Sequence, residues 1–209
     1  MQRYLTFGYL ATVVGGLFLA VGSAIALPGS STPFSEQAVT SAFIASSSLR
    51  LAGVALMMIG LTAIYVRTSD RAGVVGLIAY GLVMVNLVLQ SGTMFADLFV
   101  TGALAAHAPA VLDGSVDDAR LSTAFLLAWV FNTTLVLMGI ATLRARVFSK
   151  VVGWSLIVMG AITVIPLPVD GPVYEIVIGA ACVLAGVYAR RVSPVIMDRA
   201  EEPAVFASA

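Results

Sequence analysis

Four polar residues in an otherwise apolar run carry the first chemical signal. Asn86, Gln90, Thr93 and Asp97 lie 4, 3 and 4 residues apart within Ala72–Val100. At about 100° per residue they share an arc of roughly 60°, one stripe along one side of a helix. Two amides, a hydroxyl and a carboxylate supply hydrogen-bond donors, acceptors and one acid. Leu, Val, Met, Ile, Phe, Ala and Gly fill most of the surrounding sequence, so the segment reads as a membrane helix with one polar edge. In hydrocarbon each unpaired polar group costs several kcal/mol, so that edge must face other helices or a wet cavity.

Arg50 is the costliest residue to place. It lies about seven residues below the outer end of the second apolar run, roughly 10 Å deep at 1.5 Å per residue. A charge there costs on the order of 2–3 kcal/mol unless it snorkels or pairs. Asn86 reaches a similar depth, Gln90 sits a turn higher, and Asp97 and Glu175 fall at the outer level. Arg50 snorkelling outwards is therefore expected to meet Gln90, Asp97 or Glu175. Ser46 and Ser47 lie a turn above it, and Ser122, Trp129 and Asn132 or Thr133 form a second partly polar face.

The expected site is thus an outward-opening polar pocket of Arg50, Asn86, Gln90, Asp97, Glu175, Trp129 and Asn132. Arg50 is its cation and Asp97 or Glu175 its anion. The competing reading is an ion pair that holds three helices together and binds nothing.

These residues need a bundle to position them. The chain is 60% hydrophobic and 11% charged, against about a quarter charged in soluble domains. The apolar runs suit helices of about 20 residues rather than barrel strands. Six spans emerge, at about Leu5–Leu27, Phe43–Val66, Ala72–Val100, Leu121–Leu143, Val151–Leu167 and Val173–Tyr188. The expected fold is an all-α six-transmembrane-helix bundle over residues 1–196, followed by a short tail, 197–209.

The third span is long enough to tilt, to extend beyond the membrane, or to break near Ser91-Gly92. Thr32-Pro33 suits a helix start that runs on into the second span. Ser115 with Asp118 resembles a capping box for the fourth. Tight inner loops are expected at Thr68–Asp70 and around Val147–Ser149, and a stiff outer turn at Pro166, Pro168, Gly171 and Pro172. Ala24-Ile25-Ala26 looks like a signal cleavage site, but the apolar run from Tyr4 to Leu27 exceeds a signal h-region and reads as a retained helix.

Nine of the eleven basic residues fall at the N-terminus, in the second and fourth loops, or in the tail. The exceptions are Arg50 and Arg120. The alternate loops carry Glu36, Asp113, Asp117, Asp118 and Asp170, so the positive-inside rule predicts cytoplasmic termini.

Small residues should set the helix contacts. Gly8, Ala11, Gly15 and Gly22 form one smooth face of the first helix, with Gly16 and Ala20 beside it. Such spacing lets backbones approach closely, and packing inside the bundle is favoured over a dimer face. At an offset of 79 residues Gly60, Arg67, Arg71 and Gly81 match Gly139, Arg146, Lys150 and Gly160. This is either a duplicated hairpin or the shared grammar of membrane hairpins.

Ser48-Leu49-Arg50-Leu51-Ala52-Gly53 entering a small-residue helix, with Tyr65-Val66-Arg67 at its inner end, resembles an uncharacterised family of small bacterial multi-pass membrane proteins, a domain of unknown function. The resemblance implies a bacterial plasma-membrane protein without an assigned activity, and carries over no catalytic residue.

Function classes narrow by scarcity. The single histidine, His107, lies outside the spans, and the single lysine, Lys150, lies in a loop. Bis-histidine haem, a histidine metal site and a helix-borne Schiff base are excluded, and no cofactor or metal is expected. Serine proteolysis lacks its intramembrane histidine. Asp97 and Glu175 could converge as a carboxylate pair, but no flanking motif accompanies them. The reading favours a non-enzyme without deciding it. Zero net charge with scattered basic residues argues against nucleic acid. Cys182 reads as a small core residue. Membrane lipids are the expected surroundings. The function is expected to be binding or transport of a small anion, amphiphile or lipid head group. The alternative is an accessory subunit docked on a membrane-protein partner or on copies of itself.

Overall fold

The computed structural model describes residues 2–26, 32–114, 123, 126–127, 130–164 and 171–192. Among these the secondary structure is helical, with no strand. The helices are α1 (Gln2–Ala26), α2 (Phe34–Ala38), α3 (Ser41–Phe95), a π-helical segment (Ala96–Thr101), α4 (Gly102–His107), α5 (Pro109–Asp113), α6 (Thr134–Ala145), α7 (Lys150–Ala161) and α8 (Gly171–Val192). Three helical stretches, Gln2–Ala26, Ser41–His107 and Pro172–Arg191, are long and apolar enough to cross a membrane.

α3 is folded back on itself at Gly73, whose φ of 59° and ψ of −154° lie in a region essentially closed to other residues. The arms run antiparallel. Tyr65 and Tyr80 stack with ring centroids 4.2 Å apart, and Thr62 Oγ1 lies 3.0 Å from the Tyr80 hydroxyl. The turn expected at Thr68–Asp70 is therefore displaced. Thr68 Oγ1 donates to the Ile64 and Tyr65 carbonyls and Ser69 Oγ to that of Val66, so these polar residues satisfy themselves locally and the helix continues.

One alternative left open for the third span is not taken, and one further expectation is corrected. The helix does not break at Ser91-Gly92; α-helical bonding persists to Phe95 and widens to a π-turn over Ala96–Thr101. Nor does the helix after Pro33 run into the second span. It ends at Ala38, and Thr40 caps a new helix, its Oγ1 accepting from the Phe43 N–H at 3.2 Å. The capping box at Ser115 and Asp118, and Pro166 and Pro168 of the outer turn, lie outside the described residues.

α1 packs between the first arm of α3 and α8, while α6 joins α3 to α7 and α7 joins α8, closing a ring. Glycines set the closest approaches. A Cβ at Gly15 would lie 2.8 Å from the Gly53 carbonyl oxygen, and one at Gly16 would lie 2.5 Å from that of Gly179. Gly8, Gly15 and Gly22 all face the first arm, and Gly16 faces α8, so the small-residue faces are used inside the fold. At such distances weak Cα–H···O contacts and dispersion replace side-chain interlock. The 79-residue offset is not mirrored in packing. Gly60 abuts Thr12 and Gly139 abuts Gly153 and Ile157, while Gly160 is crowded by Val136 and Gly81 faces open space.

Candidate functional site

Arg50 stands on the first arm of α3, opposite Gly22, where any side chain on α1 would strike its Cγ. Ser46, one turn away, donates to the Gly22 carbonyl at 2.7 Å and locks the two helices. The guanidinium is thereby steered towards α8. Its Nε donates to Glu175 Oε2 at 2.7 Å and its Nη2 to Glu175 Oε1. Ser23 Oγ of α1 donates to the same Oε2 at 2.5 Å. The remaining guanidinium nitrogen, Nη1, lies 3.7 Å from Asp97 Oδ2 in the π-helical segment. One cation thus serves two carboxylates on different elements. The Arg50 and Glu175 side chains are 17% and 20% exposed and that of Asp97 37%, so Asp97 is the water-facing member.

A second polar cluster lies deeper. Asn86 Nδ2 and Gln90 Nε2 both donate to Asn132 Oδ1, at 3.0 and 3.1 Å. Asn86 is 1% exposed, and its Oδ1 has no hydrogen-bond partner among the described residues. Such an orphan is unusual in a folded interior, where more than nine in ten buried polar groups are paired.

Between the clusters lies a cavity of about 220 Å³. Leu19, Val54, Met57, Leu87, Leu135 and Ile178 make its apolar wall. Asn86, Gln90, Asn132, Thr163, Tyr174 and Glu175 supply polar surface. Residues from α1, both arms of α3, α8 and the segments bearing Asn132 and Thr163 all contribute, so the cavity sits where the ring of helices closes.

Of the residues expected at the site, Arg50, Asp97 and Glu175 meet, as do Asn86, Gln90 and Asn132. Gln90 turns to Asn132 rather than to Arg50. Thr93, the third member of the stripe, is exposed and bonds back to the Gln90 carbonyl. Trp129 and Ser122 lie outside the described residues. His107 is exposed at the end of α4. Three polar residues were not anticipated: Ser23, which donates to Glu175, and Thr163 and Tyr174 on the cavity wall. Ser23 and Thr163 are common helix residues whose roles come only from what faces them. Tyr174, adjacent to Glu175, could have been found from that adjacency.

Outside this region, Asp113 of α5 accepts from the Ser35 N–H at 2.9 Å and from the Ser35 hydroxyl at 2.6 Å, tying α2 to α5. Those bonds stabilise the carboxylate and lower its pKa below the ordinary aspartate value. Among the described residues no group of three His, Cys, Asp or Glu could hold a metal ion.

No family profile, curated protein or solved structure matches this chain.

Proposed function

We propose that this chain is a six-span plasma-membrane protein, cytoplasmic at both termini, that binds a small amphiphile or lipid head group in the cavity between its two polar clusters. The observation that carries the reading is Asn86: a 1%-exposed amide on the cavity wall with an oxygen left unpaired. An unsatisfied buried acceptor costs about 1–3 kcal/mol, and of the residues with a buried side-chain atom left without a partner among the described residues, Ser47, Asn86 and Ser149, Asn86 is the one on the cavity wall. A wall that is apolar along one part and polar along another suits a molecule with the same division.

The topology rests on charge. Arg67 and Arg71 lie close to the Gly73 turn, and Arg144, Arg146 and Lys150 flank the turn between α6 and α7. Arg190 and Arg191 close α8 and line a groove with Leu10 and Val13 in the first half of α1. Tyr9 of α1 packs edge-on against Phe148 in the second of these turns, gathering the basic ends on one side. The ion-pair cluster lies towards the opposite ends of the same helices, which makes it the outer side under the positive-inside rule. The bacterial setting rests on the family resemblance.

The test is native mass spectrometry of protein extracted gently from its own membrane. A retained small molecule, lost in Asn86→Leu, is the expected result. A protein partner retained instead would favour the accessory-subunit reading. Repeatedly bare protein would leave the clusters as structural ties.

A further inference from the structure

We infer that the cavity selects a small organic cation, a molecule with a protonated amine and a compact apolar body, and disfavours anions. This rests on the binding reading above and fixes the chemistry of its ligand.

Three observations lead there. First, the guanidinium that would attract an anion is already committed. Arg50 is held in a two-pronged pair by Glu175, and its remaining nitrogen faces Asp97. With both carboxylates ionised, the cluster has one positive and two negative charges and so carries one net negative charge. An incoming anion would have to displace a carboxylate from its partner, and a cation would not. Second, Glu175 itself lines the cavity while Arg50 does not. Its Oε2 accepts from Arg50 and Ser23, filling both lone pairs, but among the described residues Oε1 accepts from Arg50 alone and keeps one lone pair. Third, Asn86, another lining residue, carries a buried Oδ1 with no hydrogen-bond partner among the described residues, the acceptor left over once Asn86 Nδ2 and Gln90 Nε2 have bonded to Asn132. An ammonium carries three N–H donors and no acceptor, the complement of both groups.

Size limits the body. The cavity, at about 220 Å³, exceeds an apolar cavity of roughly 150 Å³ that accepts benzene. It falls below the roughly 300–1,000 Å³ of pockets for drug-sized ligands. One ring or a short alkyl chain fits against Leu19, Val54, Met57 and Ile178.

Isothermal titration calorimetry of the full chain in lipid nanodiscs tests this with three probes of similar size: benzylammonium, benzyl alcohol and benzoate. Benzylammonium is expected to bind at least 10-fold more tightly than benzoate, with benzyl alcohol between them. Asn86→Leu should weaken benzylammonium about 10-fold. Val54→Phe, which fills the cavity without touching its charges, should abolish binding of all three probes. Benzoate binding as tightly as benzylammonium, or more so, in a Val54→Phe-sensitive manner would overturn the cation inference and leave the binding site standing. No heat from any probe in well-folded protein would overturn both.

Discussion

Arg50 and Glu175, 125 positions apart in the chain, meet side-on through two parallel hydrogen bonds, with Ser23 donating a third to the carboxylate. This fork-to-fork geometry uses the planarity of guanidinium, which a lysine could not reproduce. It ties the first arm of α3 to α8 across α1, two elements that otherwise touch little.

Breaking that pair from one side should cost more than removing it whole. Arg50→Met alone leaves Glu175 and Asp97 without their cation in a largely buried site and is expected to destabilise by about 3 kcal/mol, whereas Glu175→Met leaves Arg50 its longer contact with Asp97 and should cost less. The double variant should recover much of the loss, because Asp97 is the member best able to turn to water. Thermal unfolding of the three variants in one detergent checks the order. Equal losses in all three would mean that the pair is solvated.

The glycines should divide into three kinds. Gly16→Val is expected to cost roughly 1–3 kcal/mol, because α1 and α8 must move apart. Gly73→Ala should cost a similar amount, roughly 1–3 kcal/mol, for a different reason: nothing lies within 4 Å of its Cβ position, and the penalty is wholly backbone. Gly81→Ala, in open space on a helix, should be neutral or stabilise by about 0.5–1 kcal/mol. The same unfolding assay ranks them.

The Ser35–Asp113 tie should depend on pH in one direction. Asp113 has a folded pKa below its unfolded value, so its contribution is fully present above the unfolded value. It is lost as pH falls through the lowered folded one. An NMR titration of the Asp113 carboxyl should show a midpoint below that of an ordinary aspartate. Ser35→Ala should move it upward. An unchanged midpoint would show that the serine bonds are not formed in solution.

Much of the site was legible because cost and depth are written in the sequence. A charge such as Arg50 in an apolar run must find a partner at its own level, and counting rises of 1.5 Å along each helix limits that partner to a few residues. The small-residue faces of α1 were legible for the same kind of reason, since only close packing uses Gly8, Gly15, Gly16 and Gly22 in register. The turn at Gly73 was not. Thr68, Ser69 and Asp70 look like a loop in composition, yet two of their hydroxyls return to the preceding turn and keep the helix going. The π-turn that presents Asp97 was also hidden, because an added residue per turn changes no residue type. It widens the helix just where Asp97 must reach Arg50, and π-turns often accompany functional residues. The polar stripe was half right: Asn86 and Gln90 face inward, but Thr93 bonds its own backbone and faces out.

The most direct test of the central claim, a cavity open to the outer solution and attractive to cations, is cysteine accessibility in intact cells. Cys182, the only native cysteine, is fully buried and can be replaced by alanine. Gln90→Cys then places a thiol on the cavity wall, and His107→Cys serves as an exposed control. A membrane-impermeant ammonium-bearing methanethiosulfonate should modify position 90 from outside, several-fold faster relative to the control than its sulfonate counterpart does. Modification of the control alone, or faster reaction with the sulfonate, would contradict the account.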